Sequence, residues 1–158
     1  MSPSLNTKSE IFTALDAAYA NLETTLDTVD QPHAEWPQAF GAWSIINVLQ
    51  HLDGWLVEMH GTVQRIARGE RPNPEGVDYS NVEAWNAKFI EVRGAPTLAE
   101  ARTAFQTSHA ALREALDTVP DDRYGDGRTV NRLTYTACIE HYEEHAEEIT
   151  AFLNPDPT

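Results

Sequence analysis

Cysteine is nearly absent: Cys138 is the only one in 158 residues. No internal disulfide framework can form, so the fold must rest on a packed core, which suits a reducing compartment. Long apolar runs are also missing, and none approaches the ~20 residues of a membrane span. Basic residues are scarce. Lys and Arg number 11 against 25 Asp and Glu, a formal net charge of −14. That balance repels phosphate and anionic lipid, so neither nucleic acid nor a membrane is expected as a partner. The first residues, Met1 to Ser4, carry neither the basic nor the apolar stretch of a secretory signal. No segment alternates with a period of two between hairpin turns, which argues against a substantial sheet. Together these absences predict a soluble, cytoplasmic, all-helical protein.

What is present supports that expectation. Hydrophobic residues make up 41% of the chain, enough for one domain over residues 1–158 with its core at about 7–153 and flexible ends. Thr7-Lys8-Ser9-Glu10 forms a capping box before Ile11, Leu15, Ala18, Leu22, Leu26 and Val29, whose spacing predicts a helix over 8–29. Gln31-Pro32 ends it, and the next ten residues read as a loop whose Trp36 and Trp43 pack over one end of the fold. Ser44 caps a second helix that runs to Arg68, with Gly69 as its left-handed stop. Gly54, inside that helix, implies close packing or ligand access, since glycine there costs about 1 kcal/mol relative to alanine. Ser80-Asn81-Val82-Glu83 opens a short helix to Val92. Thr97-Leu98-Ala99-Glu100 opens another to Val119, and a last helix covers 130–153. Four long amphipathic helices predict a four-helix bundle, with the short one in the long connection between the second and third.

The last helix carries an anomaly. Its apolar stripe runs Val130, Leu133, Ala137, His141, His145, Ile149 and Phe152. Two imidazoles four residues apart therefore share a core-facing side. Buried polar rings need partners, because an unsatisfied one costs roughly 1–3 kcal/mol. On the second helix His51 falls in the stripe of Val48, Trp55 and Met59. Three inward histidines on two helices match the donor set of a divalent ion such as zinc, which can keep a fourth position open. Two other metal motifs are excluded. The zincin pattern needs Glu after the first histidine, where this chain has Tyr142. Di-iron bundles use Glu-x-x-His, and no histidine here has Glu three residues before it.

Trp43-Ser44-Ile45-Ile46-Asn47-Val48-Leu49-Gln50-His51-Leu52 with Trp55 resembles the second-helix signature of the DinB-like superfamily. His141-Tyr142-Glu143-Glu144-His145 with Ile149 resembles its closing His-x-x-x-His. That superfamily of four-helix bundles includes bacterial thiol S-transferases. The resemblance implies a divalent metal, zinc or nickel, on His51, His141 and His145. It also implies a low-molecular-weight thiol such as mycothiol or bacillithiol as cosubstrate, and a small-molecule electrophile as substrate. Homodimers are plausible by the same likeness. Asp78 to Phe89 is similar to the ClbS-like branch, whose members act on reactive or genotoxic small molecules. A metal with an open position would make the bound thiol a thiolate, the nucleophilic form.

Around these residues stand weaker candidates. Glu148, three after His145, could orient an imidazole or be a charged flank. Cys138 could be a fourth ligand or a small packing residue. Asn47 and Trp55 could touch substrate, or cap and pack. His33, His60 and His109 have no motif partners. Arg65, Arg68 and Arg71 could meet an anionic substrate or offset a helix dipole. The functional expectation is a metal-dependent S-transferase or related detoxification enzyme. The alternatives are a stress-related binding protein with a structural metal, and a metal-dependent hydrolase.

Overall fold

The computed structural model describes residues 5–156. Met1–Ser4, on which the absence of a signal was read, lie outside the described residues, as do the last two, so the expectation of flexible ends falls largely there. The chain forms two compact units. One joins the chain up to Val29 to the chain from Pro120 onward; the other is Asp30–Val119.

In the first unit, α1 spans Lys8–Leu26. Thr7 and Glu10 form the expected reciprocal cap, each backbone N–H donating to the other's side chain at 3.1 Å. Ile11, Leu15, Ala18, Leu22 and Leu26 are buried. The helix ends three residues earlier than its periodicity suggests, at its last buried leucine. After the 3-10 turn Asp121–Arg123 come α6 (Thr129–Thr134), a π-helical turn (Tyr135–Ile139) and α7 (Glu140–Leu153), with α1 packed against α7 and the π turn. The predicted last helix is thus present but not regular. The Glu140 N–H reaches back five residues to the Tyr135 carbonyl. The wide turn moves the buried stripe, so Thr134, Cys138 and Tyr142 are buried in place of the expected Leu133 and Ala137.

In the second unit α2 (Gln31–Glu35) occupies what reads as loop. Proline in a helix's first turn gives up an N–H that has no partner there, so Pro32 starts this helix instead of ending the previous one. Asp30 caps it by accepting from the His33 N–H at 2.9 Å. Trp36, expected to pack, is 59% exposed. The longest helix, α3 (Ile45–Ala67), begins at Ser44, whose capping box closes with Asn47. Gly69 has the predicted positive φ, +73°. Next comes α4 (Val82–Arg93), capped by Asn81 where Ser80 was expected, then α5 (Leu98–Thr118) behind the Thr97–Glu100 box. Within this unit α3 packs chiefly against α5 and α4.

Among the described residues there is no strand, only a bridge between Phe40 and Trp43. The all-α class, the four long helices and the short helix between the second and third are as predicted. No helix among the described residues is long and apolar enough to cross a membrane.

Candidate metal centre

In the first unit, α7 holds the histidine pair. The His141 and His145 ring centroids are 4.8 Å apart. Burial, and then the neighbouring His141, lowers the His145 pKa to about 3. Burial also lowers that of His141, against the Ala137 carbonyl, which accepts from its ring, and the nearby Glu144, Glu148 and Glu140. Neutral imidazole is the form that binds a metal, so burial prepares both rings as ligands at neutral pH. His145 Nδ1 lies 3.0 Å from Glu148 Oε2. Glu148 thus touches His145 while its own side chain stays half exposed.

In the second unit His51 is 4% exposed. Its Nδ1 lies 2.8 Å from Asn86 Oδ1, and the Trp43 ring sits 4.9 Å from its own, centroid to centroid. The Trp55 indole N–H donates to the same Asn86 oxygen at 2.7 Å. Trp55 also packs edge-on against Phe89. Gly54 is explained by packing: a Cβ there would lie 2.2 Å from Phe89 Cγ. Asn47 is taken up by its cap and by a 3.0 Å hydrogen bond to Gln50.

His141 and His145 of the first unit and His51 of the second each offer one ring nitrogen of the kind that ligates a metal ion. The donor set fits: three imidazoles, each with one nitrogen held by a different group. Such outer hydrogen bonds are what fix ring orientation in histidine metal sites. Cys138 is outside that group. It is buried beside Tyr142, and burial pushes its thiol up to about 12. Arg68 and Arg65 both approach Glu70, Arg68 Nε at 2.9 Å and Arg65 at 3.8 Å. His33 lies against Asp30, and His109 is buried near Phe105. A cleft of about 530 Å³ along α1 and α7, lined by Asn21, Thr25, Glu147 and Thr150 among others, includes none of the histidines.

Sequence reading missed two residues. Asn86 gave no signal, because its partners lie 35 and 31 positions away. Asp53 gave a faint one, as a carboxylate inside an apolar helix. It is buried, pairs with Arg93 Nε at 2.6 Å and accepts from Ser108, tying α4 and α5 to α3.

An all-helical chain with three such histidines is the class that fold and site define. The sequence matches the DinB superfamily over residues 14–148, and the chain belongs to that family. No curated protein matches it. Among solved structures, the colibactin self-resistance protein ClbS, in complex with double-stranded DNA, is similar at TM-score 0.81 and 15% identity, covering 99% of this chain and 100% of that one. An uncharacterised protein from Escherichia coli UTI89 is similar at TM-score 0.79 and 16% identity, covering 97% of both chains. The sibling lethal factor precursor DfsB is similar at TM-score 0.76 and 15% identity, covering 97% of this chain and 96% of that one. These likenesses establish the DinB-like fold.

They also correct one expectation. Nucleic acid was excluded as a partner on net charge, yet a protein of this fold is crystallised with DNA. Net charge sums the whole surface, whereas phosphate contacts depend on a few locally placed donors, so a formal charge of −14 does not decide the matter.

Proposed function

We propose that His51, His141 and His145 bind one divalent ion, zinc or nickel, and that the protein is a metal-dependent thiol S-transferase or related detoxification enzyme. The observation that carries this reading is the support behind each ring: Asn86 for His51, the Ala137 carbonyl for His141, Glu148 for His145. A divalent ion with an open position supplies the Lewis acidity that makes a bound thiol a thiolate at neutral pH. The thiol must come from outside the chain. Cys138 is buried and keeps its proton far above neutral pH. A low-molecular-weight thiol therefore fits as cosubstrate, and a reducing cytoplasm would keep it reduced. In the transfer the thiol gives its proton to water and a sulfur–carbon bond forms, and a saturated double bond or opened epoxide takes a proton back from water. The electrophile takes up the electron pair as its double bond saturates, its epoxide opens or its leaving group departs. Glu148 accepts a hydrogen bond from His145 Nδ1–H and holds that ring in one tautomer, which strengthens the other nitrogen as a metal ligand. Likeness of fold to a self-resistance protein supports a protective role.

The test is metal analysis of protein purified without a histidine tag, followed by electrophiles offered with mycothiol, bacillithiol or glutathione. Stoichiometric metal and metal-dependent thiol consumption are expected. Trace metal in the wild type, with a His141→Ala variant of equal stability, overturns the metal site. Stoichiometric metal without turnover overturns the transferase.

A further inference from the structure

We infer that Asn86 is the positioning residue that presets His51 as a metal ligand, by fixing its ring in the Nδ1–H tautomer through an amide that Trp55 orients. The inference rests on the metal reading above. It starts from the inventory of donors. An indole N–H can only donate. Trp55 Nε1 lies 2.7 Å from Asn86 Oδ1, so the side of the amide turned toward α3 is its oxygen. Amide orientation is ordinarily ambiguous, and here the indole decides it. The same oxygen lies 2.8 Å from His51 Nδ1. A carbonyl oxygen can only accept, so Nδ1 carries the hydrogen and Nε2 keeps the lone pair that a metal requires.

His51 and Trp55 are four apart on α3, so both N–H groups rise from one face of that helix. They converge on one oxygen of α4. Two features hold that oxygen in place. Phe89, one turn after Asn86, packs onto Gly54 at a distance no Cβ would allow. Trp55 is held in turn by Phe89, Tyr79 and Trp85, with ring centroids 5.1, 6.0 and 6.3 Å from its own. The short helix in the long connection thus has a task beyond covering α3. It carries the acceptor that sets which nitrogen of His51 faces a ligand.

The experiment has two readouts on the full chain. The first is the His51 tautomer in metal-free protein, from ¹⁵N NMR. The second is zinc affinity, from competition with a chelator. In the wild type His51 should be Nδ1–H. In Asn86→Ala the tautomers should mix and zinc affinity should fall by ~10–100-fold, the usual cost of losing an outer-shell partner. Asn86→Asp keeps an acceptor and should restore both readouts. Trp55→Phe keeps the packing but frees the amide to turn. Its effect should be smaller, and should vanish in the Asn86→Ala background. A packing role alone would lower the melting temperature and leave tautomer and affinity as they were. An unchanged tautomer in Asn86→Ala overturns the inference, and so does an Asn86→Asp protein no better than Asn86→Ala. A wild type with the fixed tautomer and no zinc affinity overturns the metal reading while the positioning of His51 stands.

Discussion

His145 and His51 are both buried imidazoles with Nδ1 engaged, yet they are held in different ways. On α7, His145 is oriented by Glu148 three residues on, and His141 by the Ala137 carbonyl four residues back. Both of these contacts come from the stretch of chain that carries the pair, the π turn and α7. On α3, His51 depends on a residue 35 positions away on another helix. One half of the donor set is therefore built by local sequence and the other by tertiary docking. Disturbing α7 should act on the pair directly, whereas disturbing α4 should reach His51 through Asn86.

Removing a donor is the largest expected effect and tests whether the two halves are equal partners. His51→Ala and His145→Ala should each cost more metal affinity than the ~10–100-fold of outer-shell changes. Equilibrium dialysis against zinc measures this. If His145→Ala abolishes binding and His51→Ala does not, the α7 pair binds alone and the comparison fails.

The docking half can be strained without altering any ligand. In Gly54→Ala the new methyl meets the Phe89 ring at 2.2 Å. Overpacking costs about 1–3 kcal/mol, against about 1 kcal/mol gained in helix propensity, so net destabilisation is expected. Gly61 lies on the same helix with nothing within 4 Å of its would-be Cβ. Gly61→Ala should instead stabilise, by about 0.4–1 kcal/mol. Chemical denaturation of the two variants side by side checks the signs. Equal effects would mean that Phe89 yields easily and that α4 does not control His51.

This contrast also explains what was legible beforehand. Capping boxes at Thr7 and Thr97 and the Ser44 cap are local grammar, and they place three helix starts. The histidine stripe and Glu148 follow from spacing along one helix. The π turn is not legible. It widens one turn without any residue that marks it, and so moves burial from Ala137 to Cys138. Pro32 misleads because proline ends one helix and begins another with equal ease. Asn86 is an ordinary exposed-looking amide until α4 docks.

A smaller effect belongs to the local half. In Glu148→Gln the side chain keeps an oxygen that can accept from His145 Nδ1 but loses its charge. The carboxylate is 51% exposed, so water already weakens its influence. Metal affinity should fall by ~10-fold at most, the low end for an outer-shell partner. A larger loss than in Asn86→Ala would reverse the comparison, making the local contact the stronger constraint.

The smallest effect should come from Cys138, which lies in the π turn just before the pair. Burial pushes its thiol up to about 12, while a hydrogen bond with Tyr142 works in the opposite direction. Since the thiolate is the form that reacts and binds metal, the group should be inert across the neutral range. A disulfide reagent at pH 8 should find no fast thiol in the native protein and one per chain after unfolding. Cys138→Ala should lose some packing, of the order of 1 kcal/mol for a small buried side chain, and keep its full complement of metal. Rapid native labelling, or loss of metal in that variant, would place the thiol among the ligands. The α7 half would then supply three donors by itself, and the dependence on α4 through Asn86 would be unnecessary.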